Sequence, residues 1–178
     1  VDAIICASSY IYDTALKYTN LTVHISTQTS SLNAESVSFY QKMGAKRVVL
    51  GRELTYEELK KVKENTNLEL EVFIHGGMCS GYSGRCVLSN FMANRDANRG
   101  GCAHSCRWNY DLYNDNEKIN KEDYFSMASK DLMLVKEIEK MYELGIDSLK
   151  IEGRMKSLYY IATVCRTYRK LIDDLKRR

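Results

Sequence analysis

Proline is absent from all 178 residues. Composition offers no physical account of that, but it leaves no proline-rich linker along which the chain could divide. Long apolar runs are missing too. None approaches the roughly 20 residues that a membrane-spanning helix needs, so no membrane segment is expected. The chain has little net charge, a formal +3, and only three histidines. Its length suffices to bury one core, and residues 1–178 are expected to form a single α/β domain.

Cysteine is not scarce, and it is unevenly placed. Four of six fall within one short segment, Cys79-SGYSGR-Cys86-VLSNFMANRDANRGG-Cys102-AHS-Cys106, which is rich in Gly, Asn and Arg. Packing gives no reason to crowd thiols onto a polar, glycine-rich stretch, whereas a metal or iron–sulfur centre needs thiolates gathered by a pliable backbone. The C-x6-C-x15-C-x3-C spacing matches neither paired zinc knuckles nor a ferredoxin run. It supports thiolate ligands without choosing the metal. Disulfides would suit a secreted chain, and no signal peptide is evident at Val1; inert buried thiols would suit Cys6 and Cys165 better than these four. His104 could replace one thiolate in a Cys3His zinc site. A cysteine nucleophile with His75 or His104 as base is a further option, though it would need fewer thiols.

Charge is local where it matters. Between Cys79 and Tyr110 stand Arg85, Arg95, Arg99 and Arg107 against Asp96, interleaved with Tyr82, Phe91, Trp108 and Tyr110. Such a composition suits stacking on unpaired bases while phosphates are held, and equally suits a solvated loop with its own small core.

The rest of the chain alternates short apolar runs with amphipathic stretches. Strands are expected at Ala3–Ala7, Leu21–Ser26, Arg47–Leu50, Leu68–His75 and Ile146–Ile151. Helices are expected at Tyr10–Tyr18, at Asn33–Met43 with Asn33 as cap and Gly44 as stop, and from a capping box at Thr55-Tyr-Glu-Glu58 to about Glu64. Two more are expected, from about Ser129 to Leu144 and from Ser157 onward with Leu158, Ile161, Cys165, Tyr168 and Ile172 on one face. About five strand–helix units argue for a parallel sheet, either doubly wound or part of a (β/α)8 barrel. A whole barrel takes about 250 residues, so the barrel reading makes this chain a piece of a longer one. The stretch from Met78 to about Glu122 is long for a βα connection and follows a strand's C-terminal end, where parallel folds place ligands.

Alternation along Leu68–His75 puts Glu71 and His75 on one side of a strand, and the next strand end carries Glu152-Gly-Arg154-Met-Lys156 before a helix, a turn able to hold an anion. Glu71, His75, Glu152 and Arg154 are thus the expected catalytic group at one rim. Arg85, Arg95, Arg99, Arg107, Trp108 and Lys156 are the expected substrate contacts.

Glu71-VFIHGGM-Cys79-SGYSGR-Cys86-VLS, Asn94-RDANRGG-Cys102 with Cys106-Arg-Trp108, Ser129-Lys-Asp131-Leu, and Gly145-IDSLKI-Glu152-GRMKSLYY resemble, in order and spacing, the collagenase-like peptidase family U32. Departures are Gly77, where Ser or Ala is usual, and His-Ser before Cys106, where Gln-Pro is usual. The resemblance implies a (β/α)8-type barrel of which this chain would lack the first strands and any C-terminal domain. It implies two conflicting activities, proteolysis and the hydroxylation of transfer or ribosomal RNA or of ubiquinone precursors, and in some members a 4Fe–4S cluster on cysteines of this stretch. Four thiolates with arginines and aromatics favour a cytoplasmic iron–sulfur protein acting on RNA. Zinc, a peptide substrate, and a scaffold whose metal only folds the loop are the alternatives.

Overall fold

The computed structural model describes residues 1–120 and 124–177, so the last two positions of the expected 78–122 stretch lie outside the described residues. Five strands run parallel in chain order: β1 (Ala3–Cys6), β2 (Thr22–Ile25), β3 (Arg47–Val49), β4 (Glu69–Gly76) and, last, β8 (Ser148–Ile151). Between them come α1 (Ser9–Tyr18), α2 (Ala34–Lys42) and α3 (Tyr56–Glu64), and α6 (Leu158–Lys176) closes the chain. Each helix starts where its cap says it should. The side chains of Ser8, Asn33, Thr55 and Ser157 accept the first free amides, and Thr55 with Glu58 completes a capping box.

Alternation decides which face the helices cover. Val23, Ile25, Val48, Leu68 and Leu70 point one way and bury against Tyr12, Ala15, Val37, Leu59 and Val62 of α1–α3. Ile74, Leu149 and Ile151 pack with Tyr168, Leu171, Ile172 and Leu175 of α6 and with α5 (Ile138–Glu143). The opposite face is charged, carrying Arg47, Glu69, Glu71 and Lys150 in contact with one another. The strand order is that of a singly wound sheet, with β1 and β8 each paired on one side.

Between β4 and α5 the chain forms α4 (Leu88–Ala93), a hairpin of β5 (Tyr113–Asn114) and β6 (Glu117–Lys118), and β7 (Leu132–Met133). Asp115 and Asn116 are both left-handed, as a type I′ hairpin turn requires. Two expectations are corrected here. The helix expected from Ser129 begins only at Ile138, because Leu132 and Met133 instead pair antiparallel with Gly76 and His75 at the end of β4. On α6, Leu158 is 86% exposed and Cys165 is exposed, so the buried stripe runs through Val164, Tyr168, Leu171 and Leu175.

Candidate functional site

The C-terminal ends of β4 and β8 meet at a pair of glycines. Gly76 has φ +103°, and a Cβ there would stand 2.0 Å from the Glu152 carbonyl oxygen, so only glycine lets the two strand ends come this close. The Gly77 amide then donates to Glu152 Oε2 at 3.2 Å. Beyond this junction opens a cavity of about 1250 Å³, walled by the ends of β1, β4 and β8, the turn after β2 and the cysteine segment.

All four clustered cysteines line this cavity. Left-handed residues at Ser83, Asn94 and His104 and glycines at 84 and 100 turn the segment back on itself between them. Two of the sulfurs receive the amide two residues on: Leu88 N–H reaches Cys86 Sγ and His104 N–H reaches Cys102 Sγ, each at 3.4 Å. Amides aimed at sulfur favour the thiolate over the thiol. Burial nonetheless pushes the Cys79 thiol up, with Cys86 and Cys106 adding to the push against the Gly81 amide and Arg52. All six cysteines are free, and Cys6 also reaches the cavity. Among the described residues no three His, Cys, Asp or Glu side chains converge tightly enough to hold a single ion.

Glu152 is the one carboxylate of the expected catalytic group on the cavity wall. Burial alone would raise its pKa, but a hydrogen bond from His104, the Arg154 amide at 3.0 Å and the Gly77 amide together bring it down to about 2. His104 Nε2 lies 3.4 Å from Glu152 Oε1. The Arg154 guanidinium lies against Gly100 and also lines the cavity.

Glu71 and His75 are placed elsewhere, and the structure does not bring all four residues together at the cavity. Glu71 is buried and ties three strands: Lys150 Nζ donates to it at 2.7 Å, Ser148 Oγ at 2.9 Å and Arg47 at 3.3 Å. Burial pushes its carboxyl up and these donors outweigh it, leaving the net pKa below the ordinary value. A register shift between Phe73 and His75 turns His75 from the face that alternation assigned it, toward α6, where Nδ1 lies 3.2 Å from Tyr168 Oη. Tyr168 gives its single proton to the Ile74 carbonyl at 3.2 Å, which makes His75 Nδ1 the donor.

The expected substrate contacts divide into two groups. Arg107 and Lys156 are both paired with Asp131, the latter at 2.9 Å, and so clamp β7's approach to the junction. Arg85, Arg95 and Arg99 are exposed: Arg85 donates to the Gln28 carbonyl at 2.8 Å, Arg95 meets the Met155 sulfur, and Arg99 lies 3.7 Å from Asp96. Tyr82, Phe91 and Trp108 also present rings to solvent, whereas Tyr110 bonds the Ser105 carbonyl at 2.7 Å.

Three contributors escaped the sequence. Arg52 enters the cavity just past β3, its guanidinium carbon 3.5 Å from the Phe73 ring centroid. Its place after a parallel strand was the available signal. Gln28, in the turn after β2, holds the cysteine segment through the Ala97 carbonyl at 3.2 Å and Asn98 at 3.3 Å. Asp131, seen only as part of a motif, pairs the two cations above. No local pattern announces either contact, because each joins positions far apart in the chain.

Known proteins resemble the chain along nearly all its length. It is 52% identical over 180 residues to the tRNA hydroxylation protein P1 of Bacillus subtilis (strain 168), covering 97% of this chain and 43% of that protein. It is 32% identical over 175 residues to the 23S rRNA 5-hydroxycytidine C2501 synthase of Escherichia coli (strain K12), covering 98% and 26%. To the Collagenase of Porphyromonas gingivalis (strain ATCC BAA-308 / W83) it is 35% identical over 175 residues, covering 89% and 42%. A solved U32 peptidase superposes with a TM-score of 0.47 at 14% identity, over 88% of this chain and 57% of that one. The chain thus spans less than half the length of these curated relatives. The profile of peptidase family U32 matches residues 1–178, and the chain belongs to that family.

Proposed function

We propose that this chain is the cluster-bearing part of a protein that hydroxylates a base of transfer or ribosomal RNA, with Cys79, Cys86, Cys102 and Cys106 holding a 4Fe–4S cluster. The observation that carries the reading is the set of four thiols around one cavity, two of them met by backbone amides. Zinc on the same thiolates is the alternative. Two relatives named for tRNA or rRNA hydroxylation support the RNA substrate. Bound, the cluster would supply electron transfer or substrate activation. Glu152, held ionised and oriented by His104 and two amides, would accept hydrogen bonds from a base edge entering the cavity, and Arg154 would face it from the rim. Arg85, Arg95 and Arg99, with the rings of Tyr82, Phe91 and Trp108, form the surface on which the RNA strand would lie. Such a protein would work in the cytoplasm; among the described residues no helix is long and apolar enough to cross a membrane.

The relative named Collagenase favours a second reading, peptide hydrolysis. Among the described residues no hydrogen bond joins a histidine ring to a serine or cysteine side chain, so nothing supports a nucleophile–base pair. Nucleoside mass spectrometry on RNA from a deletion strain, complemented with wild type or Cys86→Ser, tests the proposal. Loss of a hydroxylated nucleoside, restored by wild type alone, is expected; an unchanged profile removes RNA hydroxylation. Anaerobically purified protein should contain iron and sulfide in near-equal amounts, and one zinc per chain would remove the cluster.

A further inference from the structure

Among the described residues two of the cavity's cations, Arg52 and Arg154, have no acid partner; Arg154 lies against Gly100, whereas Arg52 stands over the Phe73 ring. Arg107 is held by Asp131 and Lys150 by Glu71, each a complete ion pair. The nearby acids are also engaged, Glu53 by the Ser83 amide at 2.5 Å and Glu152 by His104 and two amides. Among the described residues the Arg52 guanidinium has no hydrogen-bond or ion-pair partner, only the face of Phe73. A guanidinium carries five donors in a rigid plane and suits an anion entering the cavity. The Phe73 ring holds the group there before any ligand binds.

We propose that Arg52 is the counter-cation of the group held by Cys79, Cys86, Cys102 and Cys106, and that it sets the reduction potential of that group; this rests on the cluster reading above. Arg52 lines the same cavity as all four cysteines; burial pushes its pKa down, while Cys79 foremost, then Glu152, Glu53 and Cys102, act in the opposite direction. Four thiolates give a cubane a net negative charge, and taking up one electron makes it more negative by one. A fixed cation therefore stabilises the reduced form more than the oxidised one and raises the potential. Arg52 is a positioning residue in this scheme, with no bond made or broken at its side chain.

The test is an electron-paramagnetic-resonance redox titration of the full-length protein, reconstituted anaerobically with ferrous iron and sulfide, as wild type, Arg52→Met and Arg52→Lys. Arg52→Met should lower the midpoint enough to change the reduced-to-oxidised ratio at fixed poise at least tenfold, about 59 mV for one electron. Arg52→Lys should stay close to wild type. If Arg52→Met folds by circular dichroism yet loads no iron while Arg52→Lys loads normally, the counter-cation role also stands. Equal midpoints in all three proteins overturn it, as does a folded Arg52→Lys that fails to load, since the charge would then not be the property required. Wild type that binds no iron and sulfide overturns the cluster reading itself, an outcome distinct from any of these.

Discussion

Glu71→Gln separates a structural role for Glu71 from a chemical one. The carboxylate accepts from Lys150, Ser148 and Arg47, joining β3, β4 and β8 across the charged face of the sheet. Gln is nearly the same shape and keeps one acceptor, so the change removes charge without opening a cavity. Removing one partner of a buried ion pair costs about 3–5 kcal/mol. Arg47 keeps Glu69 at 2.8 Å and the Lys150 side chain is 30% exposed, which points to the lower end, about 3 kcal/mol. For a chain of this length that is a fall in Tm of about 6–12 °C. Lys150→Met added to Glu71→Gln removes the orphaned ammonium and should recover about half of the loss. The pH dependence has a definite sign: a carboxyl with a folded-state pKa below its ordinary 4.5 stabilises the fold above pH 4.5 and ceases to as pH falls through the folded value. The variant should therefore show a flatter stability curve below pH 4.5, read by thermal melts across pH. A loss under about 1 kcal/mol together with abolished RNA hydroxylation would refute the structural account and return Glu71 to the chemistry.

Gly76→Ala should fail to fold or lose more than about 3 kcal/mol, since the added Cβ meets the Glu152 carbonyl in a left-handed backbone; soluble yield and urea melts read it. Glu152, with a folded pKa of about 2 against 4.5, should contribute about 2 kcal/mol after solvent screening, present above pH 4.5 and lost as pH falls toward 2. Glu152→Gln should abolish that part of the acid transition, and an unchanged transition would refute the assigned hydrogen bonds. Asp131→Asn frees Arg107 and Lys156, at a stability cost of about 1 kcal/mol, and, on the RNA-binding function proposed above, should steepen the salt dependence of that binding by about one to two in log–log slope. Fluorescence anisotropy across salt concentrations measures it; an unchanged slope would show that the two cations do not reach the RNA.

How much was legible follows the range of each interaction. Asn33, the Thr55–Glu58 box and Ser157 act within one helical turn, so a reader of the sequence meets cap and helix together. Alternation along Leu68–His75 likewise separated Glu71 from the apolar side, whose Leu68 and Leu70 pack under α1–α3. It failed at His75, where one register shift reverses the face, and at residues 129–137, where pairing with the end of β4 prevails over helical periodicity. The α6 stripe was misplaced because its fringe residues Leu158 and Cys165 are apolar yet exposed.

The sequence by itself determined the starts of α2, α3 and α6, the parallel alternating order, the family and the crowding of four cysteines, all encoded in neighbouring residues or in one contiguous motif. Only the tertiary structure decided that Glu152 meets Gly77 and His104, that Arg107 and Lys156 share Asp131, and that Arg52 stands over Phe73. Each of those contacts joins segments separated along the chain by a helix or a hairpin. Charge pairing has no period, and it becomes defined only once the sheet has fixed which ends lie side by side.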